Sequence, residues 1–211
     1  MLQEVYFFLY LHKHILPVLN YLAHIFLSGK DSQLQIGNFI GDFVKGNHYD
    51  KYPTGIRKGI LLHRNIDTFT DTHPVVRETV ALLRPSFGRY SAIIVDMYFD
   101  YFLALDFHIY SPNKSLKRFS VFFYFAVLMR YRHLPKRVKG FIFHFVLTNR
   151  LFNYSSPKGL NESLEIMARH KITALEPEKI MFFLNENHDE LQTKFHLFFP
   201  DVIEYVRIET I

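Results

Sequence analysis

The sequence predicts an all-α fold, a single compact domain built from several helices. Apolar residues recur at spacings of three and four along almost the whole chain, whereas alternating patterns bounded by turn residues are scarce. The chain has 211 residues, 49% of them hydrophobic, which is enough for one substantial core and few for two. No stretch rich in glycine, serine or proline divides the helical patterns. We therefore expect one helical domain.

Proline and glycine mark where the predicted helices begin and end. Ser28-Gly29 ends the first helix, which passes through Tyr21 and Phe26, because glycine adopts the left-handed conformation that terminates helices. Thr72-His73-Pro74 opens another helix with proline in its first turn, and that helix is expected to end before Pro85. The other helices are expected at 35–45, from Thr54 to about Thr70, and at 89–107, 116–130, 135–152, 160–170 and 177–198.

The charge balance and the lack of cysteine limit the partners and the chemistry. Lysine and arginine outnumber aspartate and glutamate by 25 to 20, which favours nucleic acid, an anionic membrane or an acidic protein as partner. Without cysteine, a disulfide framework and a thiolate metal site are excluded, so any metal must be held by imidazole and oxygen ligands. A reducing compartment agrees with this composition.

No segment predicts a signal peptide or a membrane-spanning helix. The opening stretch carries Glu4 ahead of a short apolar run, lacks a basic start and has no small-residue cleavage site. The longest other apolar run, 121–129, is far shorter than the roughly 20 residues that a spanning helix needs. We expect a soluble, cytoplasmic protein.

Two pairs of polar residues are spaced four apart within predicted helices. His63 and Asp67 therefore lie on one helical face, and Asp71 continues the row if the helix persists. Asp96 and Asp100 lie in a segment otherwise dominated by large apolar side chains, where an unpaired buried carboxylate is very costly. Both pairs are therefore candidates for a functional site.

Two further polar residues interrupt apolar stretches nearer the N-terminus, His24 in the first helix and Asp42 in the second. Taken singly, each fits a hydrogen-bonded core histidine or a carboxylate at a helix end. Together, the histidines and aspartates on four apolar helices favour a metal centre about as strongly as a purely structural role. Mn, Fe, Mg and Zn all suit imidazole and carboxylate ligands. Arg64 lies about 100° round the helix from His63, where it either binds phosphate or forms a surface ion pair.

Four motifs occur in order along the chain: NYLAH (20–24), IGNFIGDFVKG (36–46), GILLHRNIDTFTD (59–71) and DMYFDYFLA (96–104). Less specific motifs follow, NRLFNYSSPKGL (149–160), MAR (167–169) and LQTKFHLFFP (191–200). Together they resemble the acyl carrier protein phosphodiesterase family, an atypical branch of the HD-type phosphohydrolases. The resemblance implies an HD-like helical bundle that binds a divalent metal, most often manganese. It also implies hydrolysis of the phosphodiester that joins 4'-phosphopantetheine to a serine of holo acyl carrier protein.

The resemblance further implies roles for the residues singled out above. The partner would be the acidic carrier protein rather than nucleic acid. A carboxylate, Asp67 or Asp96, would accept or orient the proton of the attacking water, and Arg64 would stabilise charge on the phosphoryl oxygens. The expected metal ligands are His24, Asp42, His63, Asp67 and Asp100.

Two features depart from the family pattern. Tyr101 follows Asp100 where family members commonly have histidine, so activity is expected to be weakened or retuned if that histidine is a ligand or a proton donor. Residues 1–19 lie ahead of the usual family start and are expected to be an extension without a catalytic role, with the domain at 20–211. His12 and His14 are accordingly poor ligand candidates.

Two other functions stay open on the sequence. A related phosphohydrolase acting on a nucleotide or another small phosphodiester would fit as well, because fold likeness does not fix specificity. A non-catalytic protein whose aromatic, basic surface binds an acidic protein or a membrane would also fit the composition.

Overall fold

Every regular element is helical in the computed structural model, which describes residues 21–170 and 172–209. The predicted all-α class is therefore confirmed. The first five α-helices are α1 (Tyr21–Leu27), α2 (Ser32–Phe39), α3 (Thr54–Thr72), α4 (Pro74–Phe87) and α5 (Ser91–Leu105). The later α-helices are α6 (Phe107–Tyr110), α7 (Leu116–Met129), α8 (Lys136–Lys139), α9 (Ile142–Leu147), α10 (Arg150–Asn153), α11 (Pro157–His170), α12 (Pro177–Glu186) and α13 (His188–Glu209). Short 3-10 helices lie at Gly41–Phe43, His48–Lys51, Gly88–Tyr90 and Tyr131–His133.

Several predicted helix ends are confirmed by their local chemistry. α1 ends at Leu27, and Gly29 follows it with a φ of 65°, the left-handed conformation expected there. The side chain of Asp31 accepts hydrogen bonds from the first-turn amides of α2, which satisfies donors without a partner inside the helix. α4 begins at Pro74, as predicted.

The predicted second helix, 35–45, is wrong in its C-terminal half. α2 ends at Phe39, and the chain continues as the 3-10 helix Gly41–Phe43. Gly41 packs directly against the imidazole of His63, so the chain turns at the point where α3 leaves no room for a further helical turn. Asp42 therefore lies on this 3-10 turn and not within a helix.

Other predicted boundaries are wrong where local conformation overrides periodicity. α4 continues through Pro85 to Phe87, because proline there removes only one hydrogen bond, to the exposed Ala81. The predicted helix 135–152 is three helices, α8 to α10, since Phe141 and Asn149 leave the right-handed helical conformation. The predicted helix 177–198 is split at Asn187, whose side-chain amide donates to the carbonyl of Phe183.

α5 forms the centre of the core. All of its residues from 91 to 104 are buried except Asp96, which is partly buried. Helices α1, α4 and α13 pack against it. This arrangement places the acidic face of α5 directly against the helix that carries His24.

α2 and α3 cross at a pair of glycines. A Cβ at Gly37 would collide with the carbonyl of Ile56 and the Cα of Gly59, and a Cβ at Gly59 would collide with α2 in turn. This contact brings the backbones of the two helices close enough to share one polar cluster.

None of the helices within residues 21–170 and 172–209 combines the length and hydrophobicity that a membrane-spanning segment needs. The predicted extension at 1–19, with His12 and His14, lies outside the described residues, and its lack of a catalytic role stays a prediction.

Candidate metal centre

Two buried histidines from separate helices face each other. His24 on α1 and His63 on α3 have ring centroids 4.1 Å apart, and both side chains are almost fully buried. Imidazole pairs at this distance in a core need either bridging polar partners or a shared ligand. The polar neighbours of the two rings are Asp67 on one side and Asn38 on the other.

Asp67 lies between the two histidines on their Nε2 side. Its Oδ1 is 3.3 Å from Nε2 of His24, and its Oδ2 is 3.3 Å from Nε2 of His63. The predicted one-face placement of His63 and Asp67, four residues apart on α3, is thus present. Asp42 approaches from the 3-10 turn, with its Oδ1 3.2 Å from Nε2 of His63.

Asn38 on α2 binds the opposite side of both imidazoles. Its Oδ1 accepts from Nδ1 of His24 at 2.6 Å and from Nδ1 of His63 at 3.2 Å. Its Nδ2 donates to the carbonyl of His24 and to Oγ of Ser28, which fixes the orientation of the amide. Since a carbonyl oxygen only accepts, both histidines carry a proton on Nδ1, so Nε2 is the nitrogen that faces Asp67 and that can bind a metal once it carries no proton.

This group has the donor set and spacing of a divalent-metal site. Among the described residues, the ligand atoms of His24, His63 and Asp67 lie within 4.8 Å of one another. The buried Nε2 of His63 has no hydrogen-bond partner, although two carboxylates stand within 3.3 Å of it. Imidazole nitrogens and carboxylate oxygens that converge on one point are what a common ion requires. The residues therefore fit a divalent cation.

The electrostatics of the group favour added positive charge. Burial alone would lower the pKa of His63. The carboxylates of Asp67 and Asp42 together raise it by more than burial lowers it, so that it reaches about 9. Burial raises the pKa of Asp96 well above its usual range, and the nearby Asp71 and Asp67 raise it further. Protons thus take the place of a cation in this acidic cluster.

Asp100 stabilises the helix that carries His24. Its two carboxylate oxygens accept hydrogen bonds from the backbone amides of Leu22 and Ala23, at 2.9 and 2.8 Å, in the first turn of α1. Burial raises the pKa of Asp100 to about 8, while these two amides act in the opposite direction. The contacts are those of a carboxylate at a helix end, and the role of Asp100 as a metal ligand stays a prediction.

Asp96 lies one helical turn before Asp100 and lines a pocket that His24 also lines. Thr70 and Asp100 are the other polar residues of this pocket. The rest of the lining is apolar and includes Phe99 and three aromatic residues of α13. Asp96 is thus placed within the acidic cluster and next to open space.

Arg64 holds the loop that follows Asp42. Its Nη2 donates to the carbonyls of Val44 and Gly46, at 2.9 and 2.7 Å, and its guanidinium lies 5.1 Å from the ring centre of Tyr49. These contacts differ from the surface ion pair that the sequence offered as one alternative, and binding of phosphate and a catalytic role for Arg64 stay predictions.

Tyr101, predicted to stand where family members have histidine, is buried against Phe102 and His188, and its effect on activity stays a prediction. Sequence reasoning missed the two residues that shape the histidine pair, Asn38 and Gly41. The signal was present, because Asn38 is an uncharged polar residue next to the apolar Phe39 and Ile40 and lies inside one of the quoted motifs.

Comparisons with known proteins match the chain to one family. The family model described as "Acyl carrier protein phosphodiesterase" matches residues 19–202. A Yersinia pestis protein of that name is 29% identical over 187 residues, which cover 88% of this chain and 96% of the relative. One from Enterobacter sp. (strain 638) is 30% identical over 184 residues, which cover 86% of this chain and 94% of the relative. No solved structure matches. The chain belongs to the acyl carrier protein phosphodiesterase family.

Proposed function

We propose that this chain is a metal-dependent phosphodiesterase that acts on holo acyl carrier protein. The reaction would add water across the phosphodiester between 4'-phosphopantetheine and a serine, so that the phosphorus–serine oxygen bond breaks and the apo protein is released. The names of relatives that match almost the whole chain support the substrate. The convergence of His24, His63 and Asp67 is the observation that carries the metal dependence.

Manganese is the metal we propose, with the ion held by His24, His63 and Asp67 and with Asp42 beside them. When bound, a divalent ion supplies Lewis acidity, which lowers the pKa of water and offsets negative charge on phosphoryl oxygens. Asn38 keeps both imidazoles in the form that presents Nε2 to the ion. Asp100 fixes the start of α1 and so the position of His24.

Two carboxyl groups divide the proton transfers in this proposal. Asp67 has a side chain 34% exposed, so it faces solvent and is placed to accept a proton from the attacking water. Asp96, whose pKa is raised by burial and by neighbouring carboxylates, is placed to donate a proton to the departing serine oxygen. Arg64 holds the loop beside Asp42. In this proposal its remaining N–H groups would donate to the phosphoryl oxygens.

Conversion of holo to apo carrier protein tests the proposal directly. The purified chain is loaded with Mn and incubated with holo acyl carrier protein, and the intact mass of the carrier is followed. We expect loss of one phosphopantetheine. His63→Ala and Asp67→Asn should reduce the rate by at least about 100-fold, in the range expected when a group that acts in the transition state is removed.

A matched control removes a histidine–aspartate contact outside the site. His196 lies 3.0 Å from Asp106 through its Nε2, and His196→Ala should leave the rate within about threefold of the unmodified chain. Turnover of nucleotides with no loss of mass from the carrier would favour the alternative small-substrate hydrolase. Binding of the carrier by metal-free protein without any turnover would favour a binding protein. The cytoplasmic location also stays a prediction.

A further inference from the structure

The positive charge of the chain is concentrated in one segment. Residues 107–161 contain ten lysine and arginine residues and no aspartate or glutamate. The rest of the chain has fifteen basic and twenty acidic residues, so the net positive charge comes entirely from this segment. Clustering of this kind produces a local positive potential that attracts acidic partners and accelerates their association.

The same segment exposes large apolar side chains. On the outer side of α7, Phe122, Phe125 and Met129 are between 57% and 67% exposed. Their spacing of three and four residues places them on one stripe of the helix. On α9, Phe143 and Leu147 are exposed as well, the latter by 84%. Contiguous exposed apolar residues on a folded domain mark an interaction surface more often than chance exposure.

Cationic and apolar side chains are mixed on this surface. The guanidinium of Arg118 lies 5.6 Å from the ring centre of Phe122, and Nζ of Lys139 lies 5.1 Å from that of Tyr131. Tyr131 in turn contacts the exposed Phe143, with ring centroids 5.4 Å apart. We call the exposed basic and apolar residues of 107–161 the basic apolar face. Aromatic residues, methionine and arginine side by side are typical of protein interfaces.

The inner side of this segment packs on residues next to the candidate metal centre. Phe123 contacts Phe39, the residue after Asn38, at 5.2 Å between ring centroids. Phe141 contacts Phe43, the residue after Asp42, at 5.8 Å. The basic apolar face is therefore carried on elements that lie against α2 and the 3-10 turn, which supply Asn38 and Asp42 to the site.

We propose that the basic apolar face is the docking surface for the acidic protein that carries the scissile phosphodiester. This inference rests on the proposed function, because a substrate attached to a protein has to be brought to the site together with that protein. Charge complementarity guides the approach, and the exposed aromatic residues supply the apolar contacts. The helices α8 and α9 have four and six residues and form an irregular surface. Proteins that lie on a membrane use a longer amphipathic helix, so this surface suits a protein partner better than a membrane.

The test compares the full-length, Mn-loaded chain with two surface variants. Lys136→Glu with Arg137→Glu reverses two exposed charges on α8, and Phe125→Ser removes an exposed ring on α7. The control, Lys30→Glu with Arg77→Glu, makes the same change of net charge at exposed positions outside the face. All four substituted basic residues are exposed, so circular dichroism and the melting temperature should match those of the unmodified chain.

The KM for holo acyl carrier protein should rise by roughly tenfold in both face variants, with kcat unchanged. Hydrolysis of bis(4-nitrophenyl) phosphate, which needs no docking, should be unaffected in every variant. An unchanged KM in both face variants would overturn the docking surface and leave the proposed function intact. If the face variants, unlike the unmodified chain, fail to co-sediment with phosphatidylglycerol vesicles while their KM is unchanged, the face binds a membrane instead.

The docking surface can be judged even if the proposed function fails. If the unmodified chain does not convert the holo protein, its affinity for labelled apo carrier protein is measured by fluorescence anisotropy. Binding that weakens by roughly tenfold in the face variants and not in the control supports the docking surface. Absence of binding by the unmodified chain contradicts it.

Discussion

A single amide side chain orients both histidines of the candidate metal centre. Asn38 accepts from both Nδ1 atoms, and its own amide is held by the carbonyl of His24 and by Ser28. A partner of this kind selects the tautomer and fixes the ring plane, which prepares the ligand before any metal arrives. Asn38 thus determines how well His24 and His63, which lie on different helices, are oriented to bind one ion.

Replacing Asn38 by alanine should weaken Mn binding by roughly 10- to 100-fold, because both imidazoles lose the acceptor that holds the proton on Nδ1. Calorimetric titration of Mn measures the affinity. The imidazole ¹⁵N chemical shifts of the metal-free protein report the tautomer independently of any activity. The control is Gln35→Ala, which removes another buried amide of α2, bonded to the carbonyl of Gly29. Equal effects of the two substitutions would contradict this role of Asn38.

The sequence predicted part of this centre and missed the rest for a physical reason. Helical spacing places His63 and Asp67 on one face, and the structure has them there. Spacing carries no information on which residues of distant segments meet. The convergence of His24 and Asn38 on His63 depends on how α1 and α2 cross α3, which is a property of the packed fold.

At the scale of elements, the crossing of α2 and α3 sets the size of the site. Gly37 and Gly59 allow backbone contact at the crossing, and α2 delivers Asn38 while α3 delivers His63. The helical class followed from periodicity alone, but the end of α2 at Phe39 did not, since it depends on the contact between Gly41 and the ring of His63. Periodicity likewise gave no sign of the left-handed Asn149, with a φ of 47°.

Gly37→Ala should destabilise the protein by roughly 1–3 kcal/mol, because the added methyl group forces α2 and α3 apart. The same separation should weaken Mn binding, since it moves Asn38 away from His63. Chemical denaturation and calorimetry measure the two effects. Gly140→Ala is the matched control: Gly140 has a right-handed helical conformation, with φ −69° and ψ −22°, which alanine adopts readily. A Gly37→Ala protein as stable as the Gly140→Ala protein would show that the crossing tolerates a wider spacing.

At the scale of the whole molecule, the acidic cluster links stability to pH. Without metal, the pKa of His63 is about 9 and that of Asp100 about 8, both above their usual values. The folded state therefore binds these protons more tightly than the unfolded state does. The stabilisation from protonated His63 is complete below about pH 6.5 and is lost as pH rises through 9. The stabilisation from protonated Asp100 is complete below about pH 3.8 and is lost as pH rises from there through 8.

The melting temperature of the metal-free protein should consequently fall between pH 6.5 and 9, with His63 alone accounting for up to about 3 kcal/mol of unfolding free energy. Bound Mn should reverse this trend, because ligation requires neutral His63 and the ion replaces its proton. Calorimetry at pH 7 in buffers of different ionisation enthalpy should detect proton release on Mn addition, and affinity should increase up to about pH 9. His63→Gln should reduce the pH slope, most clearly between pH 8 and 9, whereas His196→Gln should retain it. A melting temperature that stays level from pH 6.5 to 9, with no proton released on Mn addition, would show that the cluster is not coupled to the metal.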